Sequence, residues 1–244
     1  MREGGGISDA YGSAMLILFD IDATLTHTSS VGIKAIVRTG QRLFGPQFSE
    51  VGIDVAGRLD PLIIGEMLER AGAARNNENI AKLREGYVEA MRTELFQPGI
   101  SRACPGMPEL LRALQAQSAA TLGLLTGNFE QTGLLKIQAC GYDPEVFRVR
   151  VWGDDSPLDP PARDHLPPVA MERYAKLMGK PIAGSQVTII GDTPHDVRCA
   201  KVNGCRVLGV ATGRYDVATL EAHGADLAVP TVEDTARVAK WLLG

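Results

Sequence analysis

Three short segments of this chain put acidic and hydroxyl side chains at the ends of apolar runs. In the first, Asp20-Ile21-Asp22-Ala23-Thr24 directly follows Met15-Leu16-Ile17-Leu18-Phe19. Carboxylates two apart on an extended chain share one face, and like charges buried side by side call for a cation or bound ligand to compensate them. The second is Leu124-Leu125-Thr126-Gly127-Asn128, and the third is Ile189-Ile190-Gly191-Asp192-Thr193-Pro194-His195-Asp196. Singly, each fits ordinary strand-end turn chemistry. Together they describe one site, because ligands of an open parallel sheet bind beyond the carboxyl ends of its strands.

The elements that would position these residues follow from the apolar pattern. Strand-length runs occur at Met15–Phe19, Thr121–Leu125, Val187–Ile190, Arg206–Val210 and Leu227–Val229, with a weaker one at Phe147–Trp152. Helical periodicity fills the gaps at 107–116, 132–140, 168–177, 196–202, 217–223 and 232–243. Strands alternating with helices predict an α/β fold, a Rossmann-like doubly wound parallel sheet. Residues 27–104 break this alternation. They offer no convincing strand and three helical stretches, at 31–44, 61–71 and 78–96, so they read as a helical cap inserted after the first strand. The hinges fall at Thr26–Ser30 and at Gly99 with Cys104-Pro105-Gly106. The core is then 14–26 with 105–244, and the Gly-rich residues 1–13 are expected to be disordered.

Composition narrows the function classes. The 244 residues carry a formal charge of -4 with Arg and Lys scattered, which gives no basic footprint for nucleic acid. No apolar stretch is long enough to span a bilayer, so no membrane partner is expected. The four cysteines, Cys104, Cys140, Cys199 and Cys205, lack C-x-x-C spacing and read as small buried side chains in a cytoplasmic protein.

In motif order and cap position the sequence, from about Met15 onward, resembles the haloacid dehalogenase superfamily, and most closely its phosphoglycolate-phosphatase-like hydrolases with a helical cap. Gly57-Arg58-Leu59-Asp60 is similar to the Gly-basic-x-Asp turn of their caps, and the run from Thr126 to Lys136 to their second motif and its helix. The resemblance implies that Asp20 is a nucleophile accepting the phosphoryl group as an aspartyl-phosphate and that Asp22 is the acid and base. It makes Thr126 the holder of a phosphoryl oxygen. It assigns Mg²⁺ to Asp20, Asp192 and the main-chain carbonyl of Asp22, with Asp196 a further ligand or a supporting acid. The oxygen-only inventory suits that hard cation. Thr24, Gly127, Asn128, Arg58 and Asp60 are the implied contacts to a small phosphorylated metabolite, phosphoglycolate-like or a sugar phosphate.

The family's basic residue before the last motif lacks its usual Lys-Pro setting here. Arg163, just ahead of a helix, matches its place, and Arg173 and Lys176 are the alternatives. Ala23 stands where the family usually has Gly, and Thr193-Pro194-His195 fills the loop between the last two acids. His27, His195 and the Asp154-Asp155 turn are set aside as structural, and Trp152 and Trp241 as packing. The leading expectation is a Mg²⁺-dependent phosphatase. A dehalogenase would have no use for Asp22. A phosphomutase of the β-phosphoglucomutase type would use the same core, and a phosphometabolite-binding protein without catalysis would have no need of a nucleophile paired with an acid.

Overall fold

A computed structural model describes residues 14–244; the disorder expected of 1–13 lies outside the described residues. Strand β1 (Met15–Phe19) is followed by a two-residue strand β2 (Thr26–His27) and three helices, α1 (Val31–Phe44), α2 (Asp60–Arg70) and α3 (Asn77–Glu94). The chain returns through β3 (Arg102–Ala103), which pairs antiparallel with β2. It continues as α4 (Met107–Gln115), β4 (Ala120–Leu125), α5 (Glu130–Ala139), β5 (Val149–Val151), α6 (Leu166–Met178), β6 (Val187–Gly191) and α7 (Pro194–Val202). The last elements are β7 (Arg206–Val210), α8 (Val217–Ala222), β8 (Leu227–Val229) and α9 (Thr235–Leu243).

The six long strands form one parallel sheet in the order β5-β4-β1-β6-β7-β8. Strand β1 lies between β4 and β6, where the winding changes direction, so the three segments singled out by their chemistry end side by side. Alternation sorts its side chains. Ile17 and Phe19 pack with α4, α5 and α9, while Leu16 and Leu18 pack with α6, α7 and α8. Both faces being covered explains why β1 reads as a continuous apolar run.

The cap has an apolar core of its own, built around Ile36, Phe48, Ile64, Met67 and Tyr87, and Phe129 reaches into it from the start of α5. Strands β2 and β3 form the stem joining cap to core. Their presence corrects the expectation that 27–104 holds no strand; two residues are too few to show an alternation in sequence. Other boundaries moved for capping reasons. Helix α9 begins at Thr235 because the Asp234 side chain accepts from Arg237 N, although Val232 is buried and apolar. Thr193-Pro194-His195 is no loop: Thr193 caps α7 and Pro194 opens it.

Candidate functional site

Asp20 leaves β1 into a buried, charged surround. Its Oδ1 accepts from Arg163 Nη2 at 2.9 Å, and the same guanidinium reaches Asp196 Oδ1 at 2.5 Å. Arg163 sits in a short 3₁₀ turn, Arg163–His165, that leads into α6 and points it under the sheet's carboxyl edge. Its Nη1 donates to Gly57 O of the cap at 3.1 Å, and its buried Nε has no acceptor among the described residues. Asp196 closes the support: Oδ2 accepts from Thr193 N at 3.1 Å and Thr193 Oγ1 at 2.7 Å. Both Asp196 oxygens are therefore engaged in holding Arg163 and starting α7. Burial raises the Asp20 carboxyl against the pull of Arg163, to about 6.

Asp22 faces the other way and stands half-open, with 48% of its side chain exposed. It takes Lys136 Nζ at 2.8 and 2.6 Å on its two oxygens and Asn128 Nδ2 at 2.9 Å. Lys136 also donates to Asn128 Oδ1 at 2.5 Å, and Asn128 donates to Thr126 Oγ1 at 2.8 Å. Thr126, Asn128, Lys136 and Asp22 thus form one chain of hydrogen bonds. Burial alone would raise the Asp22 carboxyl, but the Lys136 charge and hydrogen bond, with Asn128, hold it below the usual range. The same contacts keep buried Lys136 protonated.

Lys136 is the residue that sequence reasoning missed. Its signal was positional: Thr132, Gly133, Lys136 and Ile137 form the buried stripe of α5, and a lysine on such a stripe demands a partner. Side chains lean toward a helix's N-terminus, so this one reaches back to the end of β4.

Asp192 completes an acidic cluster. Oxygen atoms of Asp20, Asp192 and Asp196 lie within 4.8 Å of one another. Burial, then Asp196, Asp20 and Asp22, push the Asp192 carboxyl up to about 9. The four carboxylates Asp20, Asp22, Asp192 and Asp196 face two buried cations, Arg163 and Lys136, an excess of two negative charges. Hard oxygen donors with that excess fit a divalent cation such as Mg²⁺. Gly213, after β7, keeps the space open: a Cβ there would stand 1.8 Å from Asp192 Oδ2.

The cap closes over these groups through the turn at Gly57–Asp60. Asp60 N donates to Gly127 O at 2.7 Å, and Phe129 N donates to Asp60 Oδ2 at 3.2 Å. The backbones meet so closely that a Cβ on Gly127 would lie 2.0 Å from Arg58 O. Burial raises the Asp60 carboxyl to about 7, with Lys136 opposing and Asp22 reinforcing the shift. Arg58 donates to Asp54 O and Glu66 Oε2, each at 2.9 Å. Between cap and core lies a cleft of about 290 Å³.

That cleft is lined by Asp20, Asp22, Thr126, Gly127, Asn128 and Arg163, and also by Arg58, Asp60 and Asp192. Thr24 is a correction. It is fully buried in the turn after β1, outside the lining, and its Oγ1 has no partner among the described residues. Arg173 and Lys176 are elsewhere, paired with Asp155 at 2.7 Å and Glu172 at 2.6 Å. Ala23 takes φ 55°, the left-handed conformation for which glycine is favoured, and is held there by Ala23 N to Thr26 O at 2.8 Å and by a bond from Thr212 Oγ1 to its carbonyl. His27 is stem, His195 is the second residue of α7, and Asp154 and Asp155 pair with Arg84 and Arg173.

Comparison with known proteins agrees with this arrangement. The chain is 26% identical over 233 residues to the probable phosphatase IndB of Dickeya dadantii, covering 93% of this chain and 94% of that one. It is 23% identical over 227 residues to the pyrophosphatase PpaX of Bacillus pumilus, covering 89% and 93%. In structure it is similar to CbbY from Rhodobacter sphaeroides in complex with xylulose-(1,5)bisphosphate, with a TM-score of 0.72 and 20% identity over 91% of this chain and 96% of that one, a likeness of fold. Residues 17–210 match the profile described as haloacid dehalogenase-like hydrolase, and with its sheet, inserted cap, two acidic strand ends and the Thr-Gly-Asn end between them the chain belongs to that family.

Proposed function

We propose that the protein is a Mg²⁺-dependent phosphatase that hydrolyses a small phosphorylated metabolite through an aspartyl-phosphate on Asp20. The observation that carries this reading is the pairing of a buried carboxylate, Asp20, with a second, half-open carboxylate, Asp22, at one strand end under a closed cap. A binding protein needs anion donors there and no nucleophile. Relatives named as phosphatases support the same reading.

Asp20 Oδ attacks phosphorus, the bond from phosphorus to the ester oxygen breaks, and the departing alkoxide takes a proton from Asp22. Water then attacks the aspartyl-phosphate, Asp22 accepts its proton, and inorganic phosphate leaves. Lys136 holds Asp22 ionised before substrate arrives, so the base half of this role is ready. The acid half needs a proton brought in with the ester, which carries one as the monoanion below its second pKa of about 6. Thr126, the Gly127 and Asn128 main chain and Arg163 hold the phosphoryl oxygens. Asp20, Asp192 and the Asp22 carbonyl would hold Mg²⁺, with Asp196 as support, and the ion would supply charge neutralisation of the phosphoryl oxygens. Phosphomonoester hydrolysis calls for accelerations up to ~10²¹, whereas acid catalysis gives about 10²–10⁴, so the nucleophile and electrostatics carry most of the barrier.

The test is phosphate release from small phosphate esters, with Mg²⁺ and with chelator, for the wild type and Asp20→Asn. Mg²⁺-dependent release lost in Asp20→Asn is the expected result. Release that survives the substitution refutes the nucleophile.

A further inference from the structure

The cleft is chemically divided. Its floor carries the acids, the two buried cations and Thr126. Its cap side carries an aliphatic stretch, formed by Ile33 and Ile36 of α1, Val55 and Ala56 of the docking loop, and Ile63 of α2, bordered by the polar side chains of Thr28, Ser30, Arg58, Asp60 and Tyr87. A phosphoryl group seated at Asp20 would leave the rest of the substrate to lie in the cleft, between its floor and its cap side.

The cations of the cleft decide what that wall accepts. Arg163 is paired with Asp20 and Asp196, Lys136 with Asp22, Arg58 with Glu66 at 2.9 Å and Arg214 with Asp54 at 3.4 Å. Arg214, with 72% of its side chain exposed, stands at the mouth in solvent. Among the described residues, each cation of the lining already has a carboxylate partner, and none belongs to the stretch formed by Ile33, Ile36, Val55, Ala56 and Ile63. A second anionic group on the substrate, the carboxylate of phosphoglycolate or the second phosphate of pyrophosphate, would be buried there uncompensated. The hydroxyls of a sugar would lose a water partner wherever they lie on the isoleucine and valine side chains rather than at Thr28, Ser30 or Tyr87.

We propose that the ester cleaved is that of an uncharged alcohol with an apolar body, branched-alkyl or arylalkyl, whose hydrocarbon part lies on Ile33, Ile36, Val55 and Ile63. This rests on the phosphatase reading and goes beyond it, and it separates this chain from the pyrophosphatase to which it is similar.

The experiment compares kcat/KM for 3-methylbutyl phosphate and 2-phenylethyl phosphate with that for phosphoglycolate, glucose 6-phosphate and pyrophosphate, all with Mg²⁺. The four esters are all alkyl esters, so leaving-group reactivity does not set their order; pyrophosphate, an anhydride with the better leaving group, should fall behind in spite of it. The apolar esters should lead by tenfold or more. Phosphoglycolate, the sugar phosphate or pyrophosphate equal to or ahead of them overturns the proposal while leaving the phosphatase reading intact. Ile63→Arg, and Val55→Arg should the buried substitution not fold, add a cation to the wall and should move the preference toward phosphoglycolate; an unchanged preference counts against the wall as the determinant. If no ester is turned over, the phosphatase reading fails, and calorimetric binding of the same esters to Asp20→Asn decides alone. Tighter binding of the apolar esters upholds the wall's preference, and equal or weaker binding overturns it.

Discussion

Gly127 is where the cap meets the loop after β4, and replacing it with alanine tests whether closure of that contact governs the proposed turnover. A Cβ at this position would lie 2.0 Å from Arg58 O and 3.2 Å from Leu59 Cα, both backbone atoms of the cap turn. Ordinary contact begins near 3.4 Å, so the two backbones must separate by about 1.4 Å. The core side cannot retreat. Gly153 backs the loop so tightly that its own missing Cβ would stand 2.0 Å from Gly127 O, and Gly153 N is bonded to Asn128 O at 2.8 Å. The cap therefore yields, and the bonds from Asp60 N to Gly127 O and from Phe129 N to Asp60 Oδ2 are lost. At about 0.5–1.5 kcal/mol for a neutral bond and up to ~3 for a charged acceptor, the loss is about 2–4 kcal/mol. That disfavours the closed form by ~30–1000-fold at 1.36 kcal/mol per factor of ten. Gly127→Ala should lower kcat/KM within that range, while the rise in Tm on adding Mg²⁺ is retained because Asp20 and Asp192 are untouched. A kcat/KM within threefold of wild type refutes the argument that this backbone contact controls closure.

Other consequences follow from the same geometry. Mg²⁺ at ~100 times its Kd should stabilise the protein by about 2.7 kcal/mol, a Tm rise of ~5–10 °C, and thermal denaturation of Asp192→Asn and of Gly213→Ala, whose Cβ would collide with Asp192 Oδ2, should show that rise abolished. Lys136→Met removes the partner of a half-exposed carboxylate, so denaturant unfolding should show a loss of about 1–2 kcal/mol, below the ~3–5 of a fully buried pair. In the same variant the Asp22 pKa rises, and the acid limb of the kcat–pH profile should move to higher pH; an unmoved limb excludes Lys136 from setting the Asp22 charge. Asp60, raised from 3.8 to about 7, binds a proton more tightly folded than unfolded, so its contribution is greatest at low pH and is lost as pH rises through about 7. Without Mg²⁺, Asp60→Asn should lose less stability than wild type between pH 5 and 8, by about 2–4 kcal/mol, and parallel curves from chemical denaturation refute the buried titration.

Elements buried on both faces were legible because their sequence is continuous with their environment. Strand β1 is an uninterrupted apolar run, β6 is broken only by Thr188 and β7 is apolar after Arg206, and the helices between them keep their period. The cap was recognisable as a break in that alternation. Thr24 misled because a hydroxyl two residues past Asp22 suggests an open strand end, whereas the chain folds back at once: Ala23 N, Leu25 N and Thr26 N bond within the turn from Ile21 to Thr26 and draw Thr24 inward. Residue type along an extended strand gives its face; along a tight turn it does not.

The two buried cations show where a sequence reading by motif stops. Arg163 was found because its place is relative to a helix start, a local property that a single chain displays. Lys136 depends on two things no local pattern states together: that its helix stripe is buried, and that the carboxylate waiting for it is Asp22, 114 residues away. The charge count could have found it. Four acids converging on one sheet edge with a single arginine would, when ionised, leave three negative charges, more than one divalent ion cancels, so a second buried cation was worth looking for. The α5 stripe, which opens directly behind the second motif and contains one lysine among its buried residues, was the place to look for it.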